Sequence, residues 1–203
     1  MSTATRTDGS IGGMIKLGLI LAAYAVASCT ILALVNNMTA PVIARNNKIK
    51  AEQAMRAVIE NADDFESPKA VPTTQGSVTI QNVQIAKSQG TVIGAVVQAS
   101  GPTYDHATIM VGVGKDGVIT GVQFLENTDS PGFGSKASDP TFRVKSGTTF
   151  YGQFTGKAVA DGFVPGQTFD AISGATITSR GVADLLTAAA SVAMEVCKEY
   201  TND

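Results

Sequence analysis

Residues 170–180 read DAISGATITSR, and the way this stretch folds decides how the C-terminal half of the chain is built. Apolar residues give way to small ones and then to hydroxyl side chains. That order predicts a strand end passing through a tight turn into the N-terminus of a helix. Such a turn leaves backbone N–H groups unpaired at the positive end of the helix dipole, which makes it an anion site. Thr176, Thr178, Ser179 and Arg180 add hydroxyls and a guanidinium suited to phosphate. The same residues also have a plain structural reading, in which Thr178 or Ser179 caps the helix and Gly174 permits the turn. Both readings stand at this level.

Working outward, residues 179–200 predict the closing helix. Val182, Leu185, Leu186, Ala189, Val192, Ala193 and Val196 fall on one face, and the alanines at 188–190 suit both helix and close packing. Upstream, residues 126–140 form a long glycine- and proline-containing loop, and residues 149–154 read as a β-like piece. Before the loop come four short runs rich in β-branched residues, at 83–86, 92–97, 108–113 and 118–125. Gln89-Gly90 punctuates the first pair and Lys115-Asp116-Gly117 the last, a hairpin signal because glycine supplies the positive φ of the turn. The expectation is a three- or four-stranded antiparallel meander. Residues 40–62 predict a helix, and residues 63–74, with Pro68 and Pro72, a loop. The order helix, sheet, loop, strand, helix gives an α+β fold, an antiparallel sheet packed by helices.

At the N-terminal end, residues 17–35 read LGLILAAYAVASCTILALV, without a charge. A helix of that length spans roughly 28 Å, close to the hydrocarbon thickness of a bilayer. Lys16 closes its start, and Asn36, Asn37 and Pro41 close its end. An uncleaved membrane anchor is the expected reading. A cleaved signal peptide has a shorter apolar core. Val26-Ala27-Ser28-Cys29 resembles a lipoprotein cleavage box, but the residues after it stay apolar where a lipoprotein turns polar. Orientation is not decided by charge. Arg6 and Lys16, offset by Asp8, flank one side, while Arg45, Lys48 and Lys50, offset by Glu52, flank the other.

Composition narrows the chemistry. The 203 residues are 44% hydrophobic and 16% charged with a net charge of −2, which excludes disorder and leaves no basic surface for nucleic acid. One histidine, His106, and two cysteines, Cys29 and Cys197, cannot build a histidine-rich or thiolate metal site. Neither cysteine has a CxxC partner, Ser173 lacks the second glycine of a nucleophile elbow, and no glycine cluster extends to a dinucleotide fingerprint or P-loop. No catalytic residue and no metal ligand is expected.

Asp170-x-x-Ser173-Gly174-Ala175-Thr176 resembles the flavinylation motif of the FMN-binding domain family. In that family a flavin transferase joins the phosphate of FMN to a threonine hydroxyl as a phosphodiester, and the matching threonine here is Thr176. A second match lies in residues 126–136, ENTDSPGFGSK, which is similar to the family's E-x-x-x-T-P-G-L-G-x-K loop beside the flavin. Ser130 and Phe133 stand where threonine and leucine are usual. The resemblance implies covalent FMN on Thr176. It makes Ser173, Gly174 and Ala175 the turn that keeps this threonine accessible, and Asp170 a residue for recognition during modification. Gly132, Phe133, Gly134 and Lys136 are the implied flavin contacts, with a solvated loop charge as the alternative for Lys136.

One membrane helix followed by one such domain resembles the RnfG family of the Rnf complexes, ion-translocating ferredoxin:NAD oxidoreductases, over essentially the whole chain. The related flavin-bearing family of the sodium-translocating NADH:quinone reductases shares the plan and is usually longer. The resemblance divides the chain into a tail at 1–16, a transmembrane helix at 17–35, a linking helix and loop at 36–75 and an FMN-binding domain at 76–203. It implies an electron relay without its own substrate-converting site, with the flavin domain on the external side of the cytoplasmic membrane. The implied partners are other membrane and peripheral Rnf subunits, the flavin transferase and the lipid bilayer, with no nucleic acid. An anchored FMN-domain reductase and a non-catalytic membrane scaffold are the competing readings.

Overall fold

The computed structural model describes residues 11–68 and 74–201. Arg6 and Asp8 of the charge comparison, and Pro72 of the expected loop, lie outside the described residues. The chain separates into two compact units between Lys48 and Ile49. Helix α1 runs Ile11–Val58, and its Gly12–Val58 stretch is long and apolar enough to cross a membrane. The expected break at Asn36–Pro41 does not occur, because Pro41 sits inside the helix. A proline there removes one backbone donor. The nearby Thr39 hydroxyl donates to the Val35 carbonyl at 2.9 Å and stays within the helix's own bonding.

The second unit is built on one antiparallel sheet. Strands β3 (Val78–Ser88), β4 (Thr91–Pro102), β5 (His106–Gly114) and β6 (Ile119–Asn127) form a four-stranded meander with neighbours in chain order. Both hairpin signals hold. Gln89 and Gly90 take positive φ of 50° and 78° between β3 and β4, and Gly117 takes 78° between β5 and β6. Two short strands that the sequence reading missed, β1 (Asp64–Glu66) and β2 (Thr74–Gln75), pair with β3. The first falls within the expected loop at 63–74, and the second begins at its last residue. In β1 the exposed–half-buried–exposed order puts Phe65 toward the sheet, too short an alternation to stand out from its loop setting.

Strand alternation sends side chains to two cores. On one face Ala95, Val97, Ile109 and Val111 meet helix α2 (Thr176–Thr201), whose predicted apolar face from Val182 to Val196 is buried throughout. On the other face Ala86, Val96 and Met110 meet Ala54, Val58 and Ile59 at the end of α1. Residues 149–154 are not a strand. They form tight turns ending in a 3₁₀ turn at Gly152–Phe154, where the Thr149 hydroxyl accepts the Gly152 N–H at 3.0 Å. Phe150 and Phe154 sit one turn apart, both fully buried, and meet edge to face at 5.7 Å. A spacing of four puts both rings on one side of a turn, where a strand would also need an alternating pattern. The architecture is α+β with one long apolar N-terminal helix.

Candidate functional site

The C-terminal helix α2 begins at Thr176, three residues earlier than the sequence reading placed it. No strand leads into it. Residues 170–175 form irregular chain and a turn, closed by the Ala175 N–H donating to Ile172 O at 3.0 Å, with Gly174 at φ +78°. Only glycine takes that left-handed conformation without strain. The Ser179 hydroxyl accepts the Ile172 N–H and donates to Ala175 O, each at 3.0 Å, so it fastens the turn from inside the helix. Thr178 is also buried, its hydroxyl donating to Asp129 at 2.5 Å. Neither residue caps the helix, because both hydroxyls are used on groups of the supporting structure.

The Thr176 hydroxyl differs. It is exposed and makes no hydrogen bond to any described residue, at the first position of a helix whose leading N–H groups have no intrahelical partner. Thr176 lines a cleft of about 630 Å³ with Gly174, Ala175, Ile177 and Thr178. Ser130, Pro131, Phe133 and Gly134 form a second wall, and Tyr104 a third. Tyr104, Phe133 and Ile177 are exposed, which gives the cleft an apolar rim. Phe133 also stacks toward the turn, since a Cβ on Gly174 would lie 3.4 Å from its ring.

Asp129 lies beneath these walls, 3% exposed. Its carboxylate accepts the Thr103 hydroxyl at 2.6 Å, the Asp105 N–H at 2.8 Å and the Thr178 hydroxyl at 2.5 Å. Burial pushes this carboxyl up. The hydroxyls of Thr103 and Thr178 and the N–H groups of Asp105 and Tyr104 outweigh that and hold it below its ordinary value. Gly134 packs directly over the Thr178–Asp129 bond. A Cβ there would lie 2.5 Å from Thr178 Oγ1 and 2.6 Å from Asp129 Oδ2, so this loop position admits only glycine.

Of the residues singled out from sequence, the structure brings Thr176, Gly174, Ala175, Phe133 and Gly134 together in the cleft. Asp170, Ser173, Gly132 and Lys136 are not among its lining residues. Asp170 accepts the Ser146 N–H at 2.9 Å, and its own N–H donates to Gln153 Oε1 at 2.8 Å, on the loops beside the turn. Lys136 places its ammonium over the Phe142 ring, 5.4 Å from the centroid. Gly132 takes φ +77° in the loop, and Ser173 is exposed. His106 Nε2 pairs with Ser100 Oγ at 3.0 Å. Neither cysteine is in a disulfide, and burial pushes the Cys197 thiol up to about 11. Asp129 was missed. It sits inside the matched loop with no basic neighbour in sequence, and its partners lie 26 and 49 residues away.

The FMN that the motif implies has a flat aromatic ring system, a polyol chain and a phosphate. The cleft offers an apolar rim for the ring and a helix N-terminus with a free hydroxyl for the phosphate. The residues present therefore fit the group.

Comparison with known proteins gives two family matches. Residues 12–58 match the model of the RnfG N-terminal region, and residues 103–191 match the model of the FMN-binding domain. The chain is 34% identical over 186 residues to the G subunit of the Na(+)-translocating ferredoxin:NAD(+) oxidoreductase complex of Acetobacterium woodii, covering 82% of this chain and 85% of that one. It is 30% identical over 175 residues to the G subunit of the ion-translocating oxidoreductase complex of Methanosarcina acetivorans, covering 82% and 89%. Against the equivalently named protein of Escherichia coli O157:H7 the identity is 28% over 180 residues, covering 82% and 84%.

Proposed function

This chain belongs to the RnfG family of the Rnf ion-translocating oxidoreductases, and from that premise we propose that it carries FMN as a phosphodiester on Thr176 and relays electrons between its neighbours in such a complex. The observation that carries the reading is the Thr176 hydroxyl, exposed and without a bonding partner among the described residues, at a helix N-terminus opening into a cleft with an apolar rim. Bound FMN supplies the one-electron chemistry, and the protein supplies position and electrostatics.

Each part of the site has a task. The N–H groups at the start of α2 would hold the phosphate. Among the described residues no lysine or arginine lines the cleft, so ionic attraction from them would hold a phosphate weakly there. A covalent bond removes that weakness, and a diester carries one negative charge, suited to the half-charge of a helix N-terminus. Formally the bond joins FMN to the threonine hydroxyl with loss of one water. Tyr104, Phe133 and Ile177 would supply the apolar surface that holds the ring, and their exposure suits electron exchange with a partner. Asp170, bonded to the loops beside the turn, serves recognition by the flavin transferase. In this reading α1 anchors the chain in the cytoplasmic membrane in a single pass, with the flavin domain on the external side.

The test is the intact mass of the protein purified from its native membrane, followed by peptide mapping. The expected result is a gain of FMN less one water on the peptide carrying Thr176. The same spectrum reads whether the N-terminus is intact or begins at a lipidated Cys29. Unmodified Thr176 in native material would overturn the proposal and favour a scaffold without flavin.

A further inference from the structure

Three stretches far apart in sequence wall the cleft: the β4–β5 connection through Tyr104, the loop after β6 through Ser130, Pro131, Phe133 and Gly134, and the start of α2. We infer that Asp129 is the positioning residue of this site, its one buried carboxylate fastening all three walls at a fixed separation. Oδ1 takes the Thr103 hydroxyl and the Asp105 N–H, the two neighbours of Tyr104. Oδ2 takes the Thr178 hydroxyl, two residues from Thr176. The third wall is Asp129's own loop. Asn127 Oδ1 accepts the Asp129 N–H at 3.0 Å, and its Nδ2 donates to Gly134 O at 3.2 Å, which closes that loop on itself.

A buried carboxylate is costly unless every lone pair is used, and a neutral side chain of the same size would fill the space without that cost. Its donors are the Thr103 and Thr178 hydroxyls and the backbone N–H groups of Asp105 and Tyr104, with no cationic partner among the described residues, and all of them come from the other two walls. Gly134 completes the arrangement, because a side chain there would force Asp129 and Thr178 apart. The spacing between the Tyr104 and Phe133 rings and the Thr176 hydroxyl is therefore set by Asp129. The carboxylate does not line the cleft and acts through the residues it holds. That consequence for flavin placement rests on the function proposed above, whereas the fastening itself does not.

The experiment is amide hydrogen exchange on the full chain in detergent micelles, comparing wild type with Asp129→Ala, Asp129→Asn, Thr103→Val and Thr178→Val. Asp129→Ala is expected to speed exchange in all three walls together by at least about tenfold, since that is the factor for losing a single hydrogen bond to a charged group and this variant loses several. Thr178→Val releases only the start of α2, and Thr103→Val only residues 103–105. Asp129→Asn keeps the shape and an acceptor oxygen and restores most of the protection. An Asp129→Ala effect confined to residues 127–134 would overturn the inference, as would equal losses in the Asn and Ala variants. If Asp129→Ala does not fold, the two threonine variants decide the question, and a lack of wall-specific release in both overturns it. In protein bearing flavin, Asp129→Ala is expected to keep the added mass while the flavin's visible circular dichroism falls to a fraction of wild type. Wild-type protein without the added mass would refute the flavin reading and leave the exchange result standing.

Discussion

The end of α1 and the beginning of α2 meet opposite faces of one sheet, and they are held there by different physics. The last turn of α1 is set by shape. Val58 backbone rests on Gly112 and Gly121, neighbours across β5 and β6, and a Cβ on Gly121 would lie 2.8 Å from Val58 Cα. The Thr120 hydroxyl donates to Val58 O at 2.5 Å and takes one of the carbonyls that a helix end leaves free. Around this contact lie Ala54, Ile59, Val96 and Met110, all buried. The first turn of α2 is set by directional bonds, the Thr178 hydroxyl to the Asp129 carboxylate and the Ser179 hydroxyl to the preceding turn, and an exposed cleft stands above it. A contact dominated by close packing resists change and leaves no surface open. A contact made of directional bonds holds a geometry while leaving a surface open, and that is what a cofactor seat requires.

The largest effect is expected at the packed end. Gly112→Val drives a side chain into Val58 O and the Thr120 hydroxyl, where backbone has no room to yield. The expected cost is about 3 kcal/mol, the upper range for overpacking, read as a lowered denaturant midpoint of the full chain in micelles. Because this contact lies on the far face, the exchange pattern of the cleft should stay that of wild type below the transition. Gly134→Ala is the counterpart at the open end, with about 2 kcal/mol expected. Here the loss should concentrate in the cleft, with faster exchange at Thr178 and Tyr104 while the end of α1 keeps its protection. Equal patterns from the two variants would mean that the two helix ends are not separately held.

What could be read from sequence follows the same division. The apolar face of α2, the four strands and both hairpins were legible because each is a local or periodic pattern. The Pro-Gly-Phe-Gly loop and the Ser-Gly-Ala-Thr turn were legible as motifs, and the structure brings Phe133, Gly134 and Thr176 to one cleft. The role of Asp129 was not legible, because its donors lie 26 and 49 residues away and no residue beside it in sequence announces them. The start of α2 was misplaced for a related reason. Thr178 and Ser179 have the chemistry of caps, and only tertiary structure shows their hydroxyls engaged elsewhere. At 149–154, β propensity lost to the bond from the Gly152 N–H to the Thr149 hydroxyl and to the four-residue spacing of two phenylalanines. Pro41 was read as a terminator, yet α1 continues through it.

The carboxylate gives the open end a pH dependence. Asp129 is held below the ordinary carboxylate value near 3.9, so its contribution to stability is fully present above that value. It is lost as pH falls through the lower folded value. Thr178→Val removes one of the bonds that lower it, at a cost of about 1.5 kcal/mol. The expected outcome is an Asp129 titration, followed by carboxyl carbon NMR, that moves to higher pH in this variant. A titration unmoved by Thr178→Val would mean that the hydroxyl does not bear on the charge.

The smallest expected effect on the fold is at the residue with the largest proposed task. Thr176→Val keeps the shape of the side chain and removes a hydroxyl that bonds to no described residue, so stability should change by less than about 0.5 kcal/mol. Helix α2 should keep its start, since its first bond runs from Ser179 N–H to Ala175 O. Yet the purified chain should carry no covalent flavin and no visible absorbance. Ser173 offers a second exposed hydroxyl three residues away, but it does not line the cleft. If Thr176→Val moved the added mass to Ser173, mere exposure rather than the Asp129-held cleft would be selecting the hydroxyl. If the mass disappears while the melting curve stays in place, the open end of the domain is built to present one oxygen atom, and its stability resides in the groups beneath.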